Sequence, residues 1–240
     1  MMRDKTIDLS IIQTIPDGAT VMVGGFGVPG TPFMLLEALA DHGAKELTII
    51  KNDANEANMG VDWLLSNGQV KRLIVSHIGL NRQAIQGMNA GAVAVEFVPQ
   101  GILAERIRAA GAGLLGIVSD IGLGTEDATS AQYATATQGA SGKHVLTVAG
   151  QEAVFEAALS ADFALLHAEQ GDSTGNLVYA SSARNFNPLM AMAAKVTIAE
   201  VEQRLALGGL AAEHIHTPAP FIDHLVLMPT VMEVYHVVQR

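Results

Sequence analysis

The chain has 240 residues, 49% of them hydrophobic and 16% charged, enough to bury a sizeable α/β core. It has no cysteine, which excludes disulfides, thiolate-bound metals and a cysteine nucleophile. A net charge of −10 speaks against a nucleic-acid surface, the N-terminal residues lack a secretory apolar stretch, and no apolar run reaches the ~18 residues of a membrane span, so a cytoplasmic protein is expected.

In chain order, Val21–Val23 reads as a strand and Pro32–His42 as a helix closed by Gly43. Leu47–Ile50 is the next strand. An amphipathic turn over Val61–Leu65 stops at Asn67-Gly68, and a strand follows at Leu73–Ser76. Arg82–Met88 is helical, Ala92–Val98 alternates toward Pro99, and Leu103–Ala110 forms a helix ended by Gly111. Further strands are expected at Leu114–Val118, Val145–Val148, Phe163–His167, Asn176–Tyr179, Val196–Val201 and Ile222–Leu227, and Asn187-Pro188 opens a helix. This alternation predicts an α/β fold: an open, mostly parallel sheet with helices on both faces. One domain over residues 1–240 is expected. The Ala/Thr/Ser/Gln-rich stretch at about 125–144 has no apolar period and reads as a loop or flap.

The most informative run is Asp17 to Pro32, where a strand enters Gly24, Gly25, Gly27 and Gly30 and a helix follows at once. Thr31 is placed as N-cap and Pro32 at the first helical position. Glycines there let a backbone approach a ligand closely, and free N–H groups suit an anion or a polarised carbonyl. Gly25 to Gly30 also spells G-x-G-x-x-G, with Asp53 near the end of the next strand, the pattern of a dinucleotide site. Two features oppose that reading. The same spacing recurs at Gly111–Gly116 after a helix, and Pro29 with Thr31-Pro32 starts the helix after the last glycine instead of within the motif.

The longer string carries more. Asp17-Gly18, Val21-Met22-Val23, Gly24-Gly25-Phe26, Gly30 and Pro32 together resemble the alpha-subunit signature of the class I (3-oxoacid type) CoA-transferases, most of all the acetate/acetoacetate type. The resemblance continues through Ser76-His77-Ile78-Gly79, Val98-Pro99-Gln100-Gly101, Leu103–Arg108, Gly111-Ala112-Gly113, Gly175-Asn176-Leu177, Ser182–Pro188, His216-Thr217-Pro218 and Phe221-Ile222-Asp223, so it spans nearly the whole chain. Ser119-Asp120-Ile121-Gly122 stands where the family pattern has Thr-Pro-Thr-Gly.

The resemblance implies an exchange in which a glutamate carboxylate attacks an acyl-CoA, passes through an acyl anhydride to a glutamyl-CoA thioester, and hands CoA to an incoming carboxylic acid. It places that glutamate on a beta subunit, in a Ser-Glu-Asn-Gly context that this chain lacks. The chain is then half of a heteromeric enzyme, expected as α2β2, with no catalytic nucleophile of its own, no metal and no membrane or nucleic-acid partner. Its implied share is the CoA wall formed by Gly24, Gly25, Phe26, Gly27, Val28, Pro29 and Gly30. Asn52 and Gln100, with Gly101 beside it, are implied near the thioester and carboxylate.

Other candidates are weaker. Glu105, Arg106 and Arg108 fit an ion-paired solvated or interface face. Arg184–Asn187 fits a partner contact or a bare helix entry. His214 and His216 have the alternation of a strand, but no motif for metal binding. Ser76 and His77, adjacent on a strand, are expected on opposite faces and so make a poor nucleophile–base pair. Two other functions stay open: a nicotinamide-dependent oxidoreductase using Asp53 on a ribose, and a non-catalytic acyl-CoA or sugar-phosphate sensor.

Overall fold

A computed structural model describes residues 3–123 and 144–237. The strands of its main sheet are β1 (Thr20–Val23), β2 (Leu47–Ile50), β3 (Val70–Val75), β4 (Ala94–Phe97), β8 (Ala161–Asp172), β10 (Ala194–Leu205) and β11 (His224–Leu227). They lie in the order β11-β10-β8-β1-β2-β3-β4 with every neighbouring pair parallel, and the short β9 (Leu177–Val178) adds antiparallel to β8.

Alternation along each strand builds two cores. Val21, Val23, Ile49, Leu73 and Val75 face one side, under α1 (Phe33–His42), α2 (Val61–Ser66) and α3 (Arg82–Asn89), through Leu35, Leu36, Leu39, Val61, Leu64 and Ala84. Met22, Ile50 and Ile74 face the other, under α4 (Gln100–Gly111) and α5 (Asn187–Ala193), through Ile102, Leu103, Ile107 and Met190. The strands are buried on both faces, which is why they read as continuous apolar runs. The expected parallel α/β sheet with helices on both faces is present.

The differences are local. Helix α1 starts at Phe33, with Pro32 in the cap position and no side-chain cap. The Thr31 hydroxyl donates instead to Gly27 O at 2.7 Å, so Thr31 closes the glycine loop rather than the helix end. Strands β8 and β10 each run twelve residues, well past the expected Phe163–His167 and Val196–Val201. They pair with each other along their length, so main-chain bonds carry the strands beyond their apolar centres.

A second, antiparallel sheet, β5-β7-β6, was not anticipated: β5 (Gly116–Ser119), β6 (His144–Val148) and β7 (Gln151–Ala157). Strands β6 and β7 meet across Ala149 and Gly150, with φ of 52° and 83°, a two-residue turn of the hairpin kind. The expected flap at 125–144 falls outside the described residues except for His144, which opens β6.

Arg106 corrects the reading of a solvated face. It is 1% exposed, pairs with Glu96 at 3.0 Å and donates to Ala157 O at 2.9 Å, joining α4 to β4 and to the end of β7. Arg108 and Glu105 do form the exposed pair, at 2.8 Å. Among the described residues no helix is long and apolar enough to cross a membrane.

Candidate active site

The loops that follow β1, β2, β3 and β4 lie side by side, because these four strands are sheet neighbours running the same way. The carboxyl ends of parallel strands are where open α/β sheets hold ligands. Asn52 follows β2 and Gln100 opens α4 just after β4; the structure brings them into direct contact. Gln100 Nε2 donates to Asn52 Oδ1 at 2.6 Å. Asn52 Nδ2 donates to Asp53 Oδ2 at 3.1 Å. The orientation of the Asn52 amide is therefore decided by its neighbours, and an amide nitrogen carries two protons, of which the bond to Asp53 uses one. Asn52 is fully buried and Gln100 exposed, which puts the pair at the floor and rim of the site.

Ser76 completes this cluster. Its Oγ lies 2.7 Å from Asn52 O and 3.1 Å from Asn52 Oδ1, and 2.9 Å from His77 Nδ1. The expectation that Ser76 and His77 point apart is corrected, because β3 ends at Val75 and strand alternation stops with it. A carbonyl only accepts, so the single Ser76 proton goes to Asn52 O and the His77 Nδ1–H donates to Ser76. This is the reverse of nucleophile activation. The serine orders Asn52.

The glycine loop is held from both sides. The Gly27 amide donates to Asp53 Oδ2 at 2.8 Å. The Asn55 Nδ2 donates to Gly27 O at 2.9 Å and the Asn185 Nδ2 to Pro29 O at 2.9 Å. Asp53 also accepts from the Asn55 amide at 2.9 Å and faces the fully buried Lys51 ammonium at 3.3 Å. Burial alone would raise the Asp53 pKa, yet Lys51 and these N–H donors hold it below the usual carboxylate value. Burial pushes Lys51 down, opposed by Asp53. With its carboxylate spent on Lys51 and the loop, Asp53 is not a ribose acceptor, and the nicotinamide reading loses the residue it needs.

Between these loops is a cavity of about 110 Å³, lined largely by apolar groups of Phe26, Val28, Met59, Ile78 and Leu80, with His77 among them. Phe26 is 47% exposed at its mouth. Gly24, Gly25 and Gly30 are buried behind the loop, and Gly27, Val28 and Pro29 are half-buried in front. Gly101 lies exposed in the first turn of α4, with open space where a side chain would be. It makes no close approach of its own.

Sequence reasoning weighed Asp53 and Ser76 for different roles and passed over Asn55. Asp53 and Asn55 lie in the loop that follows β2 and Ser76 comes directly after β3, and that placement is the signal that could have found them. The Arg184–Asn187 segment serves the loop: Asn185 holds Pro29, and Asn187 donates to Gly30 O at 3.0 Å. His216 is committed to the fold, accepting from the Tyr179 amide at 3.0 Å and stacking on that ring. Among the described residues no cluster of three His, Asp or Glu side chains is placed to hold a metal.

The coenzyme A transferase family model matches residues 5–228. A probable coenzyme A transferase subunit alpha of Bacillus subtilis (strain 168) is 44% identical over 221 residues, covering 92% of this chain and 91% of that protein. The acetate CoA-transferase subunit alpha of Escherichia coli (strain K12) is 43% identical over 211 residues, covering 88% and 90%. Among solved structures, the acyl-CoA transferase of E. coli O157:H7 in its thioester complex with CoA superposes with a TM-score of 0.83 at 23% identity. That alignment covers 97% of this chain and 49% of the other, so the chain spans about half of that protein. Glutaconate coenzyme A-transferase from Acidaminococcus fermentans gives 0.83 at 20% identity, covering 98% and 78%. The structural likenesses carry the fold, and the family match and the sequence relatives carry the lineage: the chain belongs to the coenzyme A transferase family.

Proposed function

We propose that this chain is the alpha subunit of a heteromeric, cytoplasmic CoA-transferase, assembled as α2β2, that moves CoA between a short-chain acyl-CoA and a carboxylic acid. Relatives named for acetate, for succinyl-CoA and 3-ketoacids, and for acetoacetyl-CoA with acetate or butyrate frame the substrate range. The observation that carries the reading is the Asn52–Gln100 pair, with the Asn52 amide oriented by Asp53 and its main chain held by Ser76 beside the glycine loop, in a chain without the Ser-Glu-Asn-Gly context.

In this reading a glutamate of the beta subunit attacks the thioester carbonyl, and negative charge grows on the carbonyl oxygen. The remaining Asn52 Nδ2 proton and the Gln100 amide meet that charge. Because they are already oriented, they add stabilisation without reorganising during the reaction. The glycine loop forms the wall along which CoA lies, and the apolar cavity beside it keeps water from the reacting carbonyl. CoA leaves as thiolate, then attacks the glutamyl carbonyl of the anhydride and expels the donor's carboxylate, leaving a glutamyl-CoA thioester, and the incoming acid takes CoA by the reverse steps.

The test is CoA exchange between acetoacetyl-CoA and acetate, using the chain alone and co-purified with its beta subunit. Turnover is expected only from the pair. Robust turnover by the chain alone overturns the half-enzyme reading. Acyl-CoA binding without turnover in any pairing favours the sensor.

A further inference from the structure

Both ends of the glycine loop rest on one fully buried side chain, Asn187, at the start of α5. Its Nδ2 donates to Gly30 O at 3.0 Å and to Ala183 O at 2.9 Å, and its Oδ1 accepts from the His167 amide at 3.3 Å. A Cβ on Gly24 would lie 2.0 Å from Asn187 Oδ1, and one on Gly30 would lie 2.5 Å from Nδ2. The planar amide is thus packed against the first and the last glycine of the loop. Both of its N–H donors are used inside the protein, so it has none to offer a ligand.

We propose that Asn187 is the positioning residue that sets the span of the glycine loop, and through it the alignment of CoA with Asn52 and Gln100. This rests on the loop being the CoA wall. Asp53 holds the loop at Gly27 from the β2 side, and Asn187 holds both of its ends from the α5 side. Removing the amide leaves Gly30 O and Ala183 O without this donor, and opens a gap behind Gly24. The loop then samples several positions. A shift of about 1 Å in a positioning element costs on the order of 10²-fold in rate.

The experiment uses Asn187→Ser and Asn187→Asp, each co-purified with the beta subunit. Serine shortens the side chain, and aspartate keeps its shape but turns its donors into acceptors. Two readouts are taken. Hydrogen exchange of the peptide spanning residues 24–31 is expected to speed up about tenfold or more while the β2 and β3 peptides keep their wild-type rates, as for a local opening. The kcat per CoA-labelled active site is expected to fall about 10- to 100-fold with a much smaller change in acyl-CoA KM.

A merely structural role would lower the labelled fraction and leave the rate per labelled site unchanged. The proposal is overturned if loop exchange stays at the wild-type rate, or if kcat per labelled site stays within about twofold. If the wild-type pair transfers no CoA, the functional reading fails, and the exchange measurement still decides whether Asn187 holds the loop.

Discussion

The Asn52 side chain has one amide proton committed to Asp53 and its oxygen committed to Gln100, which fixes the direction of its second amide proton. Asn52→Ala is expected to lower kcat by about 10²–10³-fold, the usual cost of an oxyanion donor. Gln100→Ala is expected to cost less, and the double variant less than the product of the two, because the residues share a hydrogen bond. Steady-state kinetics on the co-purified pair checks both; strictly multiplicative losses contradict the shared network. A second residue, His167, is buried with Nδ1 at 2.9 Å from Glu200 and Nε2 at 3.1 Å from Glu202, and it stacks on Tyr235 with ring centroids 3.9 Å apart. Burial works against its charge, but the two carboxylates outweigh it and raise its pKa. A raised pKa means the folded state binds the proton more tightly. The stabilisation is fully present below the ordinary value of about 6.5 and is lost as pH rises through the folded value. Urea unfolding of the wild type and of His167→Gln tests this between about pH 6 and about pH 9. Their stability difference is expected to be largest at the acid end and to shrink as pH rises. A difference that grows with pH contradicts it.

At the scale of elements, the loop after β2 depends on the Lys51–Asp53 pair. Asp53→Asn leaves the buried Lys51 ammonium without its counter-charge and is expected to destabilise by about 3–5 kcal/mol, read as a lower urea midpoint. Lys51→Met with Asp53→Asn is expected to recover most of that loss, since a buried pair removed as a whole costs little. If the double variant is as unstable as the single one, the pair is not the cause. Neither member was legible as a pair in the sequence, because a lysine after a strand ordinarily points to solvent. Leu47–Ile50, by contrast, was legible to the residue: an apolar run between Lys45-Glu46 and Lys51-Asn52-Asp53 has few other readings. The ends of β8 and β10 were not, because Glu169-Gln170 and Glu202–Arg204 are polar residues held in strands by their pairing, not by burial of apolar side chains. Strand β7 escaped notice because it starts with exposed Gln151 and Glu152, and its turn, Ala149-Gly150, is not one of the Asn-Gly or Asp-Gly signals. Asn187 looked like a helix opening, and only the folded chain shows it between Gly24 and Gly30.

For the whole molecule, seven parallel strands of the described residues place the loops after β1 to β4 along one edge, where the glycine loop, Asn52, Asp53 and Gln100 collect. In the proposed function that edge supplies half of a reaction, with oriented donors, a backbone wall and an apolar cavity, and the glutamate comes from the beta subunit. The direct test is intact-mass spectrometry of both subunits after the co-purified pair meets acetoacetyl-CoA without acceptor acid. The expected result is a CoA adduct on the beta subunit alone, lost when its nucleophilic glutamate is replaced by glutamine. A CoA adduct on this chain would contradict the account.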